Sequence, residues 1–275
     1  MLSVIILYSV GRREQAELCL LSLRNSDSIG KIQIILACDG VSDYHPDDVE
    51  ILEVQRPGKH YSLGTVWNAA IARCRYYRVL YLDCDRILPQ YYSVMLEREL
   101  KDGVFLYPDS LWGLDRPIGF EQLGGLRTGL SWPGLTRDER QTDPALFPSK
   151  CPISGCTAFT LPTQALVGPM DQEYIGSGYA DIDYFMRIRR AGARCQAIPA
   201  REIHLYHEHY QDHHTFMVIN LWNGVRYHNR WDTPATERLS SLLRQYNLSF
   251  DRLTHISLDE AISDKTTMAS LPPCS

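Results

Sequence analysis

The sequence predicts an α/β fold with a doubly wound, mainly parallel sheet, and three observations lead to this prediction. Apolar runs without polar alternation recur through the first 85 residues, as is typical of strands that are buried on both faces. Amphipathic stretches with the period of a helix separate these runs. Acidic residues follow two of the runs directly, at the sheet edge where such folds bind ligands. The length of 275 residues is enough for one large domain of this class or two small ones.

The first part of the chain alternates between predicted strands and helices. The strand segments are runs of β-branched and other apolar residues, whereas the helix segments place their apolar residues in a stripe. Strands are predicted over Leu2–Tyr8, Ile32–Cys38, Ile51–Val54 and Tyr77–Leu82, and helices over Glu14–Leu23, Ser62–Arg73 and Gln90–Leu100.

The second part of the chain is less regular. Residues 108–150 contain many Gly, Pro, Trp and Arg residues without a clear period, which predicts a long loop that is functional or mobile. Beyond it, the patterns predict a strand over Gly155–Leu161, a helix over Ala180–Ala191, one or two short strands over residues 195–206, and helices over Thr215–Tyr227 and Pro234–Tyr246.

Composition and charge exclude several classes of protein. A net charge of −5 argues against a nucleic-acid-binding protein, which usually presents a basic face. No apolar segment approaches the roughly 20 residues that span a bilayer. The amino-terminal stretch lacks a basic region and a small-residue cleavage site, so we interpret it as a first core strand. The eight scattered cysteines suit reduced thiols, and we therefore expect a cytoplasmic protein.

Two aspartates, Asp83 and Asp85, follow the apolar run that ends at Leu82. At a strand end, residues i and i+2 point to the same side, so the two carboxylates would raise each other's pKa unless a cation compensates them. Mg²⁺ and Mn²⁺ prefer oxygen ligands and often bridge carboxylates to phosphates. A helix cap with a surface aspartate is the structural alternative, but the position at a sheet edge favours a metal site.

Two further aspartates, Asp181 and Asp183, lie in the first turn of a predicted helix that glycines introduce. Carboxylates at that position are stabilised by the helix dipole, so capping is one interpretation. The other is that one aspartate faces a pocket as a general base, while Arg187 and Arg190 orient the helix or neighbouring charges.

Histidine and asparagine supply two more candidate groups. Five of the nine histidines lie within residues 204–214, and histidine is a common metal ligand. His204 and His207 would not share a face of a regular strand, so strand geometry predicts at most one of them at a given ion. Asn68 lies among apolar residues of a predicted helix and needs polar partners, either by holding a loop or by reaching the strand ends.

Taken together and in this order, these segments resemble the GT-A fold glycosyltransferases, particularly the broad family 2 group and its galactosyltransferase-like relatives. The resemblance covers about residues 2–210. Two positions depart from the family pattern: "YSVG" replaces its Pro-Thr-Tyr-Asn, and Ala180 replaces a glutamate. The matching positions are Arg12 in the loop after the first strand, Asp39 in "ILACDG", Gly64 and Asn68 in a G-x-x-x-N helix, the D-x-D of "YLDCD", and Asp181 in "GSGYADIDYFMRIRRAG", followed by the histidines.

The resemblance implies a domain organisation and an activity. A GT-A catalytic domain would span residues 1–214, with a nucleotide-sugar half over about 1–105 and an acceptor half over about 106–214. Residues 215–275 would form a C-terminal helical extension packed on the same domain. The implied reaction transfers a hexose, with inversion, from a nucleotide sugar to a glycan or other hydroxyl acceptor. The donor would be a UDP-sugar, with UDP-galactose and UDP-GalNAc as the candidates.

The resemblance also implies a role for each site residue. Asp181 would be the catalytic base. Metal ligands for Mn²⁺ or Mg²⁺ would come from Asp83 and Asp85, with His204 or His207 completing the site. The donor would contact Arg12, Asp39, Asn68 and Asp83.

Other functions fit parts of the same pattern. Sugar-1-phosphate nucleotidylyltransferases share the sheet and paired acids, but they carry a Gly-rich phosphate loop where "YSVGRRE" has a single glycine. A non-catalytic nucleotide-sugar or carbohydrate binder of the same fold is a third interpretation, which Ala180 favours. Peripheral membrane association through the helix predicted over Thr215–Tyr227 is also open, although core packing of its apolar residues is favoured.

Overall fold

A computed structural model describes residues 1–27, 31–55, 60–123, 135–137, 155–176, 178–207, 213–231 and residue 260. Within these ranges, one sheet of nine strands forms the centre of the molecule. The strands are β1 (Leu2–Tyr8), β2 (Ile32–Asp39), β3 (Glu50–Val54), β4 (Arg78–Asp83), β5 (Arg86–Ile87), β6 (Val104–Leu114), β7 (Leu135–Arg137), β8 (Cys156–Thr160) and β9 (Arg194–His204). The helices are α1 (Arg13–Arg24), α2 (Leu63–Ile71), α3 (Tyr92–Glu99), α4 (Leu161–Val167), α5 (Ala180–Arg190) and α6 (His213–Trp231).

The sheet has a parallel half and a mixed half. Its strand order is β3-β2-β1-β4-β8-β6-β9-β5, and β7 pairs with β6 outside this path. Strands β1 to β4 are parallel to one another, whereas β8 runs antiparallel to β4 and β5 runs antiparallel to β9. The predicted α/β fold with a parallel arrangement of its first strands is therefore confirmed, whereas the sheet as described is mixed, with four parallel and four antiparallel strand pairs.

Alternate residues of β1 enter two different cores, one on each face of the sheet. Val4 and Ile6 belong to a cluster that contains residues of α1 and α3. Ile5 belongs to a second cluster that contains Trp67 of α2 and Tyr184 of α5. Burial on both faces explains why the strand sequence is apolar throughout instead of alternating.

Most predicted elements are confirmed, with ends that differ by a few residues. The long loop predicted from residue 108 is wrong at its start, because residues 108–114 continue β6 along β9. Residues 195–206 form one long strand rather than two short ones. Strands β5, β6 and β7 and helix α4 were not predicted from the sequence. The predicted helix over Pro234–Tyr246 lies outside the described residues.

Helix α6 packs on the body of the protein through its apolar residues. Ile219 and Val225 are buried, which favours core packing over membrane association for this helix. None of the helices in the described ranges is long and apolar enough to cross a bilayer. The boundary predicted at residue 214, between a catalytic domain and an extension, stays a prediction.

Candidate active site

Strand register gathers the candidate residues at the carboxyl edge of β1, β2 and β4. Leu7 of β1 lies beside Asp83 of β4, and Tyr8 lies beside Cys38, the residue before Asp39. The loop that follows β1 leads to Arg12 at the start of α1. Because parallel strands end at the same edge, residues distant in sequence meet here.

The short strand β5 brings the histidines to this edge. Arg86 of β5 pairs with His204 of β9, and the Leu205 amide donates a hydrogen bond to the Asp85 carbonyl at 2.8 Å. His204 is therefore placed beside the D-x-D segment by backbone pairing. The chain leaves strand geometry after His204, which allows His207 to turn back toward the same point.

Asp85 is the centre of this arrangement and is only 3% exposed. Its Oδ2 lies 3.2 Å from Nε2 of His207 and 3.5 Å from Nε2 of His204. The two imidazole nitrogens are 3.1 Å apart. The expectation that at most one of these histidines would face a given ion is therefore wrong, because both converge on one carboxylate oxygen.

The spacing of these three donor atoms suits a metal ion. An ion about 2.1 Å from each ligand has neighbouring ligands about 3.0–3.4 Å apart, close to the three separations given above. Burial, assisted by Arg86, lowers the pKa of His204 despite the nearby carboxylate of Asp85. A histidine binds metal as the neutral imidazole, so this shift keeps it in the ligand form. Burial would raise the pKa of Asp85, but Arg86 and the two histidines hold it well below its ordinary value, in the ionised form.

Asp83 differs from Asp85 in its surroundings. Its side chain is 28% exposed, and its Oδ1 accepts a hydrogen bond of 2.9 Å from the Tyr81 hydroxyl. Burial raises its pKa, Arg86 opposes the shift, and the charge of Asp85 adds to it. Among the described residues, the cluster of possible metal ligands comprises Asp85, His204 and His207 without Asp83. Metal binding by Asp83 stays a prediction.

Arg86 supplies a positive charge between the two aspartates, and the sequence analysis missed it. Its Nε lies 3.1 Å from Oδ1 of Asp85, and its Nη2 lies 3.8 Å from Oδ2 of Asp83. Its Nη1 lies 3.2 Å from Glu202 of β9. The guanidinium is packed so closely that a Cβ at Gly155 would lie 2.7 Å from its Cζ. The protein itself therefore compensates part of the repulsion between the carboxylates. The signal that could have identified Arg86 is an arginine directly after the D-x-D that is followed by apolar residues.

Asp181 lies at the first turn of α5. It is partly exposed, and its Oδ1 accepts a hydrogen bond of 2.9 Å from the Ile182 amide. Burial raises the pKa of the Tyr81 hydroxyl well above its ordinary value, and the carboxylates of Asp83 and Asp181 raise it further. Both acids are therefore close to one tyrosine. Ala180, which stands at the family's glutamate position, is buried in the apolar core.

Asp183 has a structural environment, in contrast to Asp181. It is fully buried and accepts hydrogen bonds from four side chains. These donors are Arg187 Nε at 2.8 Å, Trp231 Nε1 at 2.8 Å, Arg230 Nη1 at 3.1 Å and the Tyr174 hydroxyl at 3.2 Å. Asp183 thus joins α5 to α6, and of the two aspartates only Asp181 is partly exposed. No described partner of Asp183 is a possible metal ligand.

Asn68 and Gly64 together hold the loop that precedes α5. The Asn68 amide donates to the Met170 carbonyl at 2.8 Å and accepts from the Met170 amide at 2.9 Å. A Cβ at Gly64 would collide with the Asp171 carbonyl oxygen. The Ser62 hydroxyl donates to the Gln172 carbonyl at 2.8 Å. This geometry favours the loop-holding interpretation of Asn68, and its predicted contact with a donor stays a prediction.

Asp39 and Tyr61 complete the edge of the site. Asp39 is 9% exposed at the end of β2. The Tyr61 hydroxyl is buried, and it has no hydrogen-bond partner in the part of the chain that the structure describes. Burial raises the pKa of this hydroxyl well above its ordinary value, and Asp83 and Asp39 raise it further. Tyr61 therefore lies near the ends of both β2 and β4, where the sequence analysis assigned it no role.

Solved structures of glycosyltransferases share this architecture. The mannosyltransferase PcManGT from Pyrobaculum calidifontis, in complex with GDP-Man and Mn²⁺, matches with a TM-score of 0.53 and 16% sequence identity, over 98% of this chain and 73% of that one. GalNAc-T7 with UDP, GalNAc and Mn²⁺ matches with a TM-score of 0.52 and 14% identity, over 99% of this chain and 58% of that one. The chain thus spans less than two thirds of the GalNAc-T7 structure.

These likenesses show that the chain has the GT-A fold, as the sequence resemblance implied. No family model and no curated protein matches the sequence. The fold is therefore established by structure, while donor, acceptor and residue roles depend on the site itself.

Proposed function

We propose that this chain is a metal-dependent, inverting glycosyltransferase that moves a hexose from a nucleotide sugar to a hydroxyl acceptor. The observation that carries the proposal is the convergence of Asp85, His204 and His207 at the carboxyl edge of a GT-A sheet. The acids Asp83 and Asp181 are partly exposed and both raise the pKa of Tyr81, which supports a candidate base at the same edge of the sheet as the ligands.

Asp85, His204 and His207 would hold the metal ion. One carboxylate oxygen and two imidazole nitrogens form a mixed donor set, which favours Mn²⁺ over Mg²⁺ because imidazole is a poor ligand for the latter. When bound, the ion supplies Lewis-acid stabilisation of the charge that develops on a diphosphate leaving group.

The remaining residues bind the donor and move a proton. Arg12 and Asp83 line the site where the diphosphate and sugar would lie, and Asp39 would contact the nucleotide base. Asp181 accepts the proton of the acceptor hydroxyl. The hydroxyl oxygen then bonds to the anomeric carbon from the face opposite the breaking bond to the nucleoside diphosphate, which inverts the configuration.

The finer assignments extend this proposal. The donor is a UDP-sugar, with UDP-galactose and UDP-GalNAc as the first candidates, and the acceptor is a glycan or another hydroxyl compound. The acceptor would contact the half formed by residues 106–214. We also propose a cytoplasmic location, which fits the free cysteines of the described core.

Release of UDP tests this function directly. The purified chain is incubated with UDP-galactose, UDP-GalNAc or GDP-mannose, with Mn²⁺, Mg²⁺ or a chelator, and free nucleoside diphosphate is measured. We expect slow release from a UDP-sugar with Mn²⁺ and none with the chelator. His204→Ala should abolish release. His45→Ala is the matched control, because His45 bonds the Ser42 carbonyl outside the site and should retain it.

Three outcomes would contradict the proposal. The first is the absence of both metal-dependent release and a metal-dependent thermal shift with UDP. The second is formation of UTP from a UDP-sugar and pyrophosphate, which would indicate a nucleotidylyltransferase. UDP binding without any release, even with acceptor mixtures, would indicate the non-catalytic binder.

A further inference from the structure

Arg12 makes the shortest contact of the candidate metal site. Its Nη1 lies 2.6 Å from Oδ2 of Asp85. This is the same oxygen that faces His204 and His207 at 3.5 and 3.2 Å. A guanidinium hydrogen-bonded to that oxygen would share it with any ion that binds there, and two cations repel each other strongly at such separations.

The two arginines at Asp85 are held to different degrees. Arg86 is 8% exposed, and its partners include Oδ1 of Asp85 and Glu202. Arg12 is 19% exposed and contacts Asp85 at the other carboxylate oxygen. Arg12 also precedes the first residue of α1 and follows Gly11, which has a positive φ of 87°. Arg12 is thus the more exposed of the two and lies outside α1, so its displacement from Asp85 would disturb fewer buried contacts than displacement of Arg86.

We infer that Arg12 acts as a built-in counter-ion that competes with the metal for Oδ2 of Asp85. In the free protein it neutralises Asp85 and weakens metal binding. When nucleotide diphosphate arrives with the metal, the guanidinium moves from Asp85 to the phosphate oxygens, to which arginine bonds well. Arg12 is thus a positioning residue that couples metal binding to donor binding. This inference rests on the proposed function for the identity of the diphosphate.

Local charge supports this coupling. Asp83, Asp85 and Glu202 carry three negative charges, and Arg12 and Arg86 carry two positive ones. These two guanidiniums therefore reduce the negative charge with which the carboxylates around Asp85 would attract a divalent cation. A bound diphosphate adds negative charge and gives Arg12 a second partner, so each ligand should increase the affinity for the other.

Manganese binding to the UDP-free protein tests the inference without any activity measurement. Free Mn²⁺ is followed by its electron paramagnetic resonance signal during titration of the wild type, Arg12→Gln and Arg13→Gln. We expect Arg12→Gln to bind Mn²⁺ about tenfold more tightly than the wild type in the absence of UDP. Arg13→Gln is the matched control, since it removes an equal charge one residue away that pairs with Glu17, and its Mn²⁺ affinity should not change.

The titrations are repeated with UDP present. In the wild type UDP should increase the Mn²⁺ affinity, and in Arg12→Gln this increase should shrink. Equal or weaker Mn²⁺ binding by Arg12→Gln in the absence of UDP would overturn the inference. So would a wild type that binds Mn²⁺ equally with and without UDP. If Arg12→Gln fails to fold, Arg12→Lys should shift the affinity in the same direction by a smaller factor, because an ammonium pairs less well at this position.

The two proposals can fail separately. His204→Ala should remove the Mn²⁺ binding of every variant, which locates the measured ion at this site. UDP release by the wild type tests the proposed function whatever Arg12 does. If the wild type releases UDP and Arg12→Gln binds Mn²⁺ with unchanged affinity, the proposed function stands and the proposed role of Arg12 is wrong.

Discussion

Two aspartate pairs with the same spacing have different partners in this molecule. Asp83 and Asp85 follow β4, and Asp181 and Asp183 open α5. In each pair the second aspartate is buried and bonded to arginine, while the first is partly exposed. The buried members differ in what else faces them: two imidazoles face Asp85, whereas the other partners of Asp183 are a tyrosine and a tryptophan.

This difference shows how a buried carboxylate is to be interpreted. Imidazole nitrogens can bind a metal that a carboxylate also binds, so the partners of Asp85 form a candidate site. Hydroxyl, indole and guanidinium groups only donate hydrogen bonds to Asp183, so they form a structural junction between two helices. The spacing D-x-D is the same in both places and does not distinguish them.

The largest expected effect concerns the exposed member of the second pair. Asp181→Asn should lower transfer about a thousandfold, as expected for loss of a general base. Its hydrogen bond to the Ile182 amide can persist through the remaining oxygen, so unfolding stability and Mn²⁺ binding should not change. Initial rates of UDP-sugar turnover with acceptor measure the loss of transfer, and urea unfolding measures the stability. Full activity would remove Asp181 from the mechanism.

The buried member of the same pair should behave in the opposite way. Asp183→Asn removes the buried charge that bonds Arg187 and Arg230, which keep Asp171 as a second counter-ion, and should lower the free energy of unfolding by about 2–3 kcal/mol. Mn²⁺ binding should remain, because the metal site lies at the other pair. Urea unfolding and Mn²⁺ titration test this. A loss of transfer with unchanged stability would instead place Asp183 in the catalytic machinery.

Removal of an imidazole tests the first pair alone, because the two histidines face Asp85 and not Asp183. His207→Ala should weaken Mn²⁺ binding by about a hundredfold or more, since even loss of a group that only orients a ligand costs about 10–100-fold. Unfolding of the metal-free protein should change little, because this ring lies at the site and not in the core. Calorimetric titration with Mn²⁺ provides the affinity, and His45→Ala serves as the reference. An unchanged affinity would exclude His207 as a ligand.

The smallest expected effect concerns the loop before the second pair. Asn68→Ala removes two hydrogen bonds to Met170 and should lower the free energy of unfolding by about 1–2 kcal/mol. If Asn68 only holds this loop, UDP affinity should stay close to that of the wild type. Thermal unfolding and UDP titration distinguish the roles, because a large loss of UDP affinity without loss of stability would support the predicted donor contact.

Many elements of the fold were predictable from local patterns. Burial can be recognised directly from the apolar runs of β1, β2 and β4 and from the apolar stripe of α1. In a strand, residues two positions apart face the same core, and in a helix residues four positions apart do so. The segment 104–107, at the start of β6, is an apolar run of this kind that was overlooked, whereas the other missed segments lack a clear pattern. Strand β5 is two residues long, which is too short to show a period. The second half of β6 contains Pro108 and Gly113, which are typical of loops.

The site was predictable in its residue types but not in its contacts. The sequence by itself determined a GT-A-like order of motifs, with acids after buried strands and histidines after the last one, because these depend on local hydrophobic pattern and position. Tertiary structure alone decided that β5 pairs with β9, which joins Asp85 to His204, and that the turn after β9 adds His207. It also decided that Arg12 and Arg86 neutralise Asp85. Pairing between segments distant in sequence depends on the packing of the whole sheet, and no local pattern encodes it.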